Sequence, residues 1–368
     1  MSNRLREIEA LGQSIWIDNI SRQLLEDGIM ARLVEEDGIS GVTSNPTIFE
    51  KAMGHSDRYD DAFRETLDET DDPQEIFERL AYGDIRDAAD LLRPTFDRTE
   101  GRDGYVSFEV PASLAFNADK TIEAAQRYKA EIDRPNVLIK VPGTGDGVRA
   151  FEELTALGVN VNVTLLFAVE RYEAIAEAFL TGLERHVQAG GSIDTSASVA
   201  SFFVSRVDTK VDKALEGTGR DDLKGKAAVA NARIAYESFQ RIFRGPRWEG
   251  LAAKGARVQR PLWASTSTKN PDYLDTLYVD DLIGPDTVNT MPDQTIQAAR
   301  DHATAQRTVD KDVEDAHKLI DDVKAAGVDF DKIVMQELVD EGVKSFGDSY
   351  DSLLESIKEK ASQLVHAS

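Results

Sequence analysis

Cysteine is absent from all 368 residues, which excludes disulfides, thiolate nucleophiles, iron–sulfur clusters and cysteine-held zinc. Histidine is scarce. The five (His55, His186, His302, His317, His366) stand far apart with no HExxH or other local ligand spacing, so no metal site is expected. Positive charge is outweighed, with 43 Lys+Arg against 67 Asp+Glu and a net charge of −24. A nucleic-acid footprint needs an excess of Lys and Arg on one face, so nucleic acid is not an expected partner. The same balance repels anionic metabolites at long range, and a site for a phosphorylated molecule would need its own local cations. No apolar run reaches the roughly 18 residues that a membrane span requires. The opening stretch MSNRLREIEALGQ lacks the apolar segment of a signal peptide. A soluble, cytoplasmic protein is expected, with no membrane partner.

What is present is enough for a full-sized core, with 41% hydrophobic and 30% charged residues. A prior of roughly 150 residues per domain suggests two domains, but α/β barrels exceed it as one. Short β-rich runs alternate with amphipathic helical stretches. The runs are SIWIDNI (14–20), GVTSNP (41–46), YVSFEV (105–110), NVLIKVP (136–142), VNVNVTLLF (159–167), FFVSRV (202–207), RPLWAS (260–265) and TLYVDD (276–281). Helical patterns such as KTIEAAQRYKAEI and AVERYEAIAEAFLTGLERHVQ follow them. This βα register implies parallel pairing with right-handed crossovers, and about eight strands favour a closed (β/α)₈ TIM barrel over an open sheet. One barrel domain over 1–368 is expected, with helical insertions at about 47–100 and 208–245. Helices after about 293 should pack around the outside. Acid clusters such as LDETDDPQE and VEED read as solvated helix faces and turns.

Three strands carry an ionisable residue within an apolar run: Asp18 in IWIDNI, Glu109 in VSFEVP and Lys140 in VLIKVP. Strand side chains alternate faces, so Lys140 shares a face with Leu138 while Val137, Ile139 and Val141 take the helix-facing side. Lys140 therefore points into the lumen. Asp18 and Glu109 also fall near strand C-terminal ends, where barrel active sites sit. In the fifth strand Asn160, Asn162 and Thr164 alternate with Val161 and Val163, and Thr43 and Asn45 share parity in the second. A lone strand lysine usually snorkels, and a lone strand acid usually serves a structural partner. Three charges at one depth beside an amide-lined strand point instead to a site. Burial disfavours an ammonium ion and frees an amine to attack a carbonyl. With no cysteine, a Schiff-base lysine is the strongest nucleophile left. G-x-S-x-G and Walker A motifs are absent, and PGTGDG does not extend into GxGxxG.

The stretches SIWIDNISRQLL, GVTSNPTIFEKAM, VSFEVP, NVLIKVPGTGDGVRA and GVNVNVTLLF resemble the transaldolase family of the pentose phosphate pathway, and the resemblance runs through roughly residue 300. It implies a (β/α)₈ barrel that moves a dihydroxyacetone unit from a ketose phosphate to an aldose phosphate without a cofactor. Sedoheptulose 7-phosphate and glyceraldehyde 3-phosphate would give erythrose 4-phosphate and fructose 6-phosphate. By motif, Lys140 matches the Schiff-base lysine, Glu109 the acid/base acting through a water oriented by Thr164, and Asp18 the second acid/base. Thr43 and Asn45 match the second-strand TxN, Asn162 and Thr164 the fifth-strand NxT. Ser201, Phe203 and Arg206 match positions lining the substrate channel, and Ser265 a serine near the phosphate. Many members follow that serine closely with arginine. Here the segment reads ASTSTKN, and Lys269 is the nearest cation. The expected partners are sugar phosphates, and the expected assembly is a monomer or homodimer. Two alternatives remain: a class I aldolase of the fructose-6-phosphate aldolase type, which carries tyrosine where Phe203 stands, and a non-catalytic sugar-phosphate-binding protein.

Overall fold

The computed structural model describes residues 3–54 and 56–367, so His55 lies outside the described residues. Eight parallel strands close into a barrel in sequence order. They are β1 (Gln13–Ile17), β2 (Ile39–Thr43), β3 (Tyr105–Glu109), β4 (Val137–Pro142), β5 (Val161–Leu166), β6 (Ser198–Phe203), β7 (Arg260–Ala264) and β8 (Thr287–Met291). Helices connect them on the outside, as the βα alternation requires. Helical residues fill the connection after β2 (Pro46–Gly54, Asp60–Leu67, Pro73–Arg98) and that after β6 (Ser205–Leu215, Ala227–Ile242). Among the described residues, no helix is long and apolar enough to cross a membrane.

Register carries the lumen face around the barrel. Glu109 pairs with Lys140, Lys140 with Asn162, Ser201 with Leu262, Val288 with Leu262, and Thr290 with Trp16. Paired residues share a face, so Ser107, Leu138, Val199, Leu262, Val288 and Trp16 fill the lower lumen. Trp16 lies over Gly41, where an added Cβ would come within 2.4 Å of the indole. Its Nε1 donates to Asp103 Oδ1 at 2.8 Å, which fixes the ring across the barrel floor. With the floor plugged, the polar lumen residues are left at the C-terminal mouth.

Four expectations need correction. The run 276–281 is not a strand: Leu277–Asp280 is a helical turn, with the Thr276 hydroxyl donating to Asp280 Oδ2 at 2.9 Å, and the eighth strand is Thr287–Met291. The sixth strand lies earlier than 202–207, because Ser198 pairs with β5, Val199 and Ala200 pair with both neighbours, and Ser205 already begins a helix. The cluster VEED is not wholly solvated, since Asp37 is buried and bound by Arg300 and by Asn3 Nδ2 at 2.7 Å. Finally, Leu338–Ala367 does not stay on the outer ring; Gly342 packs on Leu165 of β5, and Ser345 and Phe346 line the cavity at the barrel mouth.

The misread turn has a structural duty. Tyr278 on it donates to Asp208 Oδ2 at 2.9 Å, while Asp208 Oδ1 accepts the Ala228 N–H at 2.7 Å and so caps helix Ala227–Ile242. Burial pushes the Asp208 carboxyl up to about 7 from 3.8, and these two hydrogen bonds oppose the rise. Between those values the folded chain holds a proton that the unfolded chain releases. Stability therefore falls as pH rises through the window, by on the order of 3–4 kcal/mol. Asp208→Asn keeps an acceptor for Ala228 and cannot ionise. Urea unfolding should show the variant gaining on the parent by on the order of 3 kcal/mol between about pH 4 and pH 8. A constant difference would place the titration on another group.

Candidate active site

The C-terminal mouth encloses a cavity of about 410 Å³ whose wall includes Asp18, Thr43, Asn45, Lys140, Thr164, Ser201, Phe203, Arg206, Ser265 and Lys269. Ten of the twelve residues singled out from sequence thus meet on one wall; Glu109 and Asn162 stand directly behind it, in contact with Lys140 and Ser201.

Lys140 is 5% exposed on the fourth strand. Its Nζ donates to the Ser44 carbonyl at 2.8 Å and lies 3.5 Å from Glu109 Oε2, both side chains being under a tenth accessible. The Ser44 carbonyl is available because β2 has just ended, and the Ser44 hydroxyl ties the turn to the Ser107 carbonyl at 2.8 Å. Burial raises the Glu109 carboxyl above its usual range, against the opposing pull of the Lys140 charge. Among the described residues, Thr164 Oγ1 is buried without a hydrogen-bond partner, and Glu109 Oε2 has only the 3.5 Å approach of Lys140 Nζ. Such groups carry a desolvation cost unless something polar completes them.

Asp18 follows the last residue of β1. Its Oδ1 accepts the Thr43 hydroxyl at 2.7 Å, and Thr43 in turn meets the Thr290 hydroxyl of β8 at 2.7 Å. Thr43 has one proton and gives it to Asp18, so Thr290 donates to Thr43. Burial raises the Asp18 carboxyl, opposed by Lys140 and the Thr43 bond. Two carboxyls with raised affinity for protons therefore flank one buried amine, the donor set of acid/base chemistry on a carbonyl.

The amides divide differently from the simple parity reading. Asn162 Nδ2 donates to Ser107 at 3.1 Å and its Oδ1 accepts the Ser201 hydroxyl at 2.6 Å, so Asn162 meets the cavity through Ser201. Asn45 Oδ1 accepts the Ile48 N–H at 3.1 Å and anchors helix Pro46–Gly54, and at the cavity wall its Nδ2 has no hydrogen-bond partner among the described residues.

Cations line the same cavity. Arg206 opens the helix after β6, and Lys269 donates to Ser267 Oγ at 2.7 Å. Burial lowers the Lys269 ammonium, and the Arg206 charge adds to the effect. Ser265 adopts a left-handed φ of 57°, uncommon for a side-chain-bearing residue, and its hydroxyl meets that of Ser205 at 2.9 Å. These groups supply the local positive patch that the −24 chain needs around an anion. Among the described residues, no three His, Cys, Asp or Glu side chains are grouped to hold a metal ion.

Sequence reasoning missed several contributors. Ser44 acts through its carbonyl and has no side-chain signature. Thr290 was hidden by the wrong eighth strand, although TVNTM alternates and follows a Gly-Pro break. Ser267 and Lys51 also line the cavity, as do Ser345 and Phe346 from the C-terminal helix, which no local pattern connects to the mouth.

The family model for transaldolase/fructose-6-phosphate aldolase matches residues 15–357. The chain is similar to a protein named Transaldolase from Thiobacillus denitrificans, 48% identical over 358 residues and covering 96% of this chain and 99% of the relative. It is similar to Transaldolase 2 of Nostoc sp. at 45% identity, with 98% of each chain covered. The Transaldolase of Acidothermus cellulolyticus is 48% identical over 97% of this chain and 96% of its own. On the breadth of these matches, the chain belongs to the transaldolase/fructose-6-phosphate aldolase family.

Proposed function

We propose that this chain works as a transaldolase, transferring a dihydroxyacetone unit between sugar phosphates through an imine on Lys140. The observation that carries the reading is a buried Lys140 set 3.5 Å from Glu109 and in the field of Asp18, at the mouth of the barrel and open to the cavity.

Lys140 adds as the free amine to C2 of the donor ketose phosphate. Glu109, through a water that its carboxyl and the Thr164 hydroxyl hold, gives the proton with which the C2 oxygen leaves as water. The resulting iminium is an electron sink. Asp18 takes the proton of the C4 hydroxyl, the C3–C4 bond breaks, and its electrons move onto nitrogen as the aldose phosphate departs. The three-carbon enamine stays on Lys140, with the Asn45 amide and Ser201 hydroxyl facing its oxygens. When the next aldose phosphate enters, the enamine carbon attacks its aldehyde and Asp18 returns the proton to the new hydroxyl. Glu109 and water then hydrolyse the imine. Arg206 holds the phosphate with Ser265 and Lys269; its planar fork can engage two phosphate oxygens where lysine offers a point charge. Both substrates and products are phosphate anions that do not cross a bilayer unaided, and the cytoplasm is the compartment that goes with this reading.

The direct test is a coupled assay with fructose 6-phosphate and erythrose 4-phosphate in excess chelator. Formation of sedoheptulose 7-phosphate and glyceraldehyde 3-phosphate is expected, because the iminium does the work of an electron sink. Turnover that EDTA stops and zinc or magnesium restores would contradict it.

The family also holds aldolases that release the three-carbon unit. Release requires a proton on the enamine carbon. Phe203 lines the cavity with its ring 5.3 Å from the Arg206 guanidinium carbon, and a phenyl ring has no proton to give. A phenol there could donate or position a water. Phe203→Tyr should raise dihydroxyacetone release from fructose 6-phosphate and lower transfer to erythrose 4-phosphate. An unchanged transfer-to-release ratio would make Phe203 a wall residue only.

A further inference from the structure

Arg206 is half-buried, yet among the described residues it has no hydrogen-bond or ion-pair partner. What flanks it is aromatic. Its guanidinium carbon lies 5.3 Å from the Phe203 ring centre and 5.8 Å from that of Phe346. Phe203 belongs to β6, whereas Phe346 comes from the far end of the chain, on the helix Leu338–Ala367. An arginine normally finds acceptors when it leaves water, because its five N–H donors are costly to bury unpaired. Here two ring faces occupy its surroundings and leave the N–H edges uncommitted.

The helix is placed to do this. One turn before Phe346, Gly342 approaches β5 so closely that an added Cβ would lie 2.8 Å from Leu165 Cδ2 and 3.6 Å from the nearer Arg206 nitrogen. Residues four apart share a helix face, so the contact that seats Gly342 also aims Phe346 at the cavity. Leu165 itself takes a left-handed φ of 59° at the irregular end of the fifth strand, where pairing with β6 shifts register. Lys210, on the helix that carries Arg206, binds Glu337 at 3.0 Å and also Glu341, and the Thr47 hydroxyl donates to Ser349 at 3.0 Å. The mouth is thus tied to the C-terminal helix on two sides.

We propose that Phe346 is a positioning residue: with Phe203 it holds the Arg206 guanidinium by its faces, so that the free N–H edge meets the phosphate of the substrate. This rests on the sugar-phosphate reading of the cavity. A cation held against aromatic faces stays charged and oriented without a competing carboxylate that the phosphate would have to displace. Specificity for phosphorylated over unphosphorylated aldoses then depends on a residue remote in sequence from every strand of the barrel.

The test compares acceptors at saturating fructose 6-phosphate. Phe346→Leu should raise KM for glyceraldehyde 3-phosphate about ten-fold, leave kcat within about two-fold, and leave KM for D-glyceraldehyde unchanged. Phe346→Tyr, which keeps the ring, should restore the parent value. Gly342→Ala must lift the helix or displace Leu165, and should raise KM for the phosphorylated acceptor alone while leaving Phe346 intact. Equal rises for both acceptors, or no rise with Phe346→Leu, would reduce the helix to a wall and overturn the proposal. Borohydride trapping on Lys140 by the parent protein separates this from failure of the transaldolase reading, which would leave the parent untrapped and inactive.

Discussion

Lys140→Met should lower turnover by about 10⁴-fold or more and eliminate the adduct that borohydride fixes in the presence of fructose 6-phosphate. Every bond change in the proposed cycle passes through the Lys140 nitrogen, and no cysteine exists to replace it. Methionine fills nearly the same volume, so the barrel should remain folded. The cost is local. The Ser44 carbonyl loses the 2.8 Å bond from Nζ, worth about 1–3 kcal/mol when a buried acceptor is left unmet. Glu109 loses the cation that opposes the burial-driven rise of its carboxyl, so the variant favours the neutral carboxyl further. Peptide mapping of the parent should put the trapped mass on Lys140. Lys120 and Lys129 are the informative controls, since both sit on the outer helix Ala118–Ile132 and Lys129 donates to the Gly158 carbonyl at 2.7 Å. Label on either would mean the amine that reacts is not the one inside the barrel.

How much of this was legible in the chain depended on whether a residue's role shows in its own strand. Lys140, Glu109 and Asp18 interrupt apolar runs, and an interrupted run is visible in one dimension. The fifth strand was equally plain, because Val161 and Val163 must face helices and Asn162 and Thr164 must not. The eighth strand failed for the converse reason. TLYVDD carries the bulky residues that strands favour, whereas TVNTM turns only Val288 and Thr290 to the lumen and sets the polar Thr287 and Asn289 on the other face, where a strand pattern expects apolar residues. Tyr278 is large because it reaches Asp208, a demand that periodicity does not reveal. The sixth strand was displaced because its first half, Ser198–Ala200, sets a single Val between two small residues and lacks the bulky apolar run by which a strand is recognised. The C-terminal helix was the deepest omission. An amphipathic pattern states which face is apolar but not what it packs on, so nothing local joins Phe346 to Arg206, which stand 140 positions apart in the sequence.

Asp18→Asn should reduce transfer by about 10²- to 10⁴-fold, the range for losing a positioned acid/base, while still forming the imine. The substitution is nearly isosteric, and the amide oxygen can still accept the Thr43 hydroxyl that now lies 2.7 Å from Oδ1. What it cannot do is take the C4 hydroxyl proton, without which the C3–C4 bond keeps its electrons. The burial that raises the Asp18 carboxyl makes it a stronger base once ionised and, after cleavage, a carboxylic acid able to return the proton. Glu109, on the other side of Lys140, governs the earlier loss of water from C2, so the two carboxyls fail at different steps. With fructose 6-phosphate and borohydride, the parent should yield a three-carbon adduct on Lys140, since the aldose leaves before reduction. Asp18→Asn should instead yield the intact six-carbon phosphate adduct. Glu109→Gln should yield little of either, because the iminium itself forms slowly. A three-carbon adduct accumulating on Asp18→Asn would show that cleavage proceeds without it and would move the base to another group at the mouth, with the Thr43–Thr290 pair the nearest hydroxyls to examine.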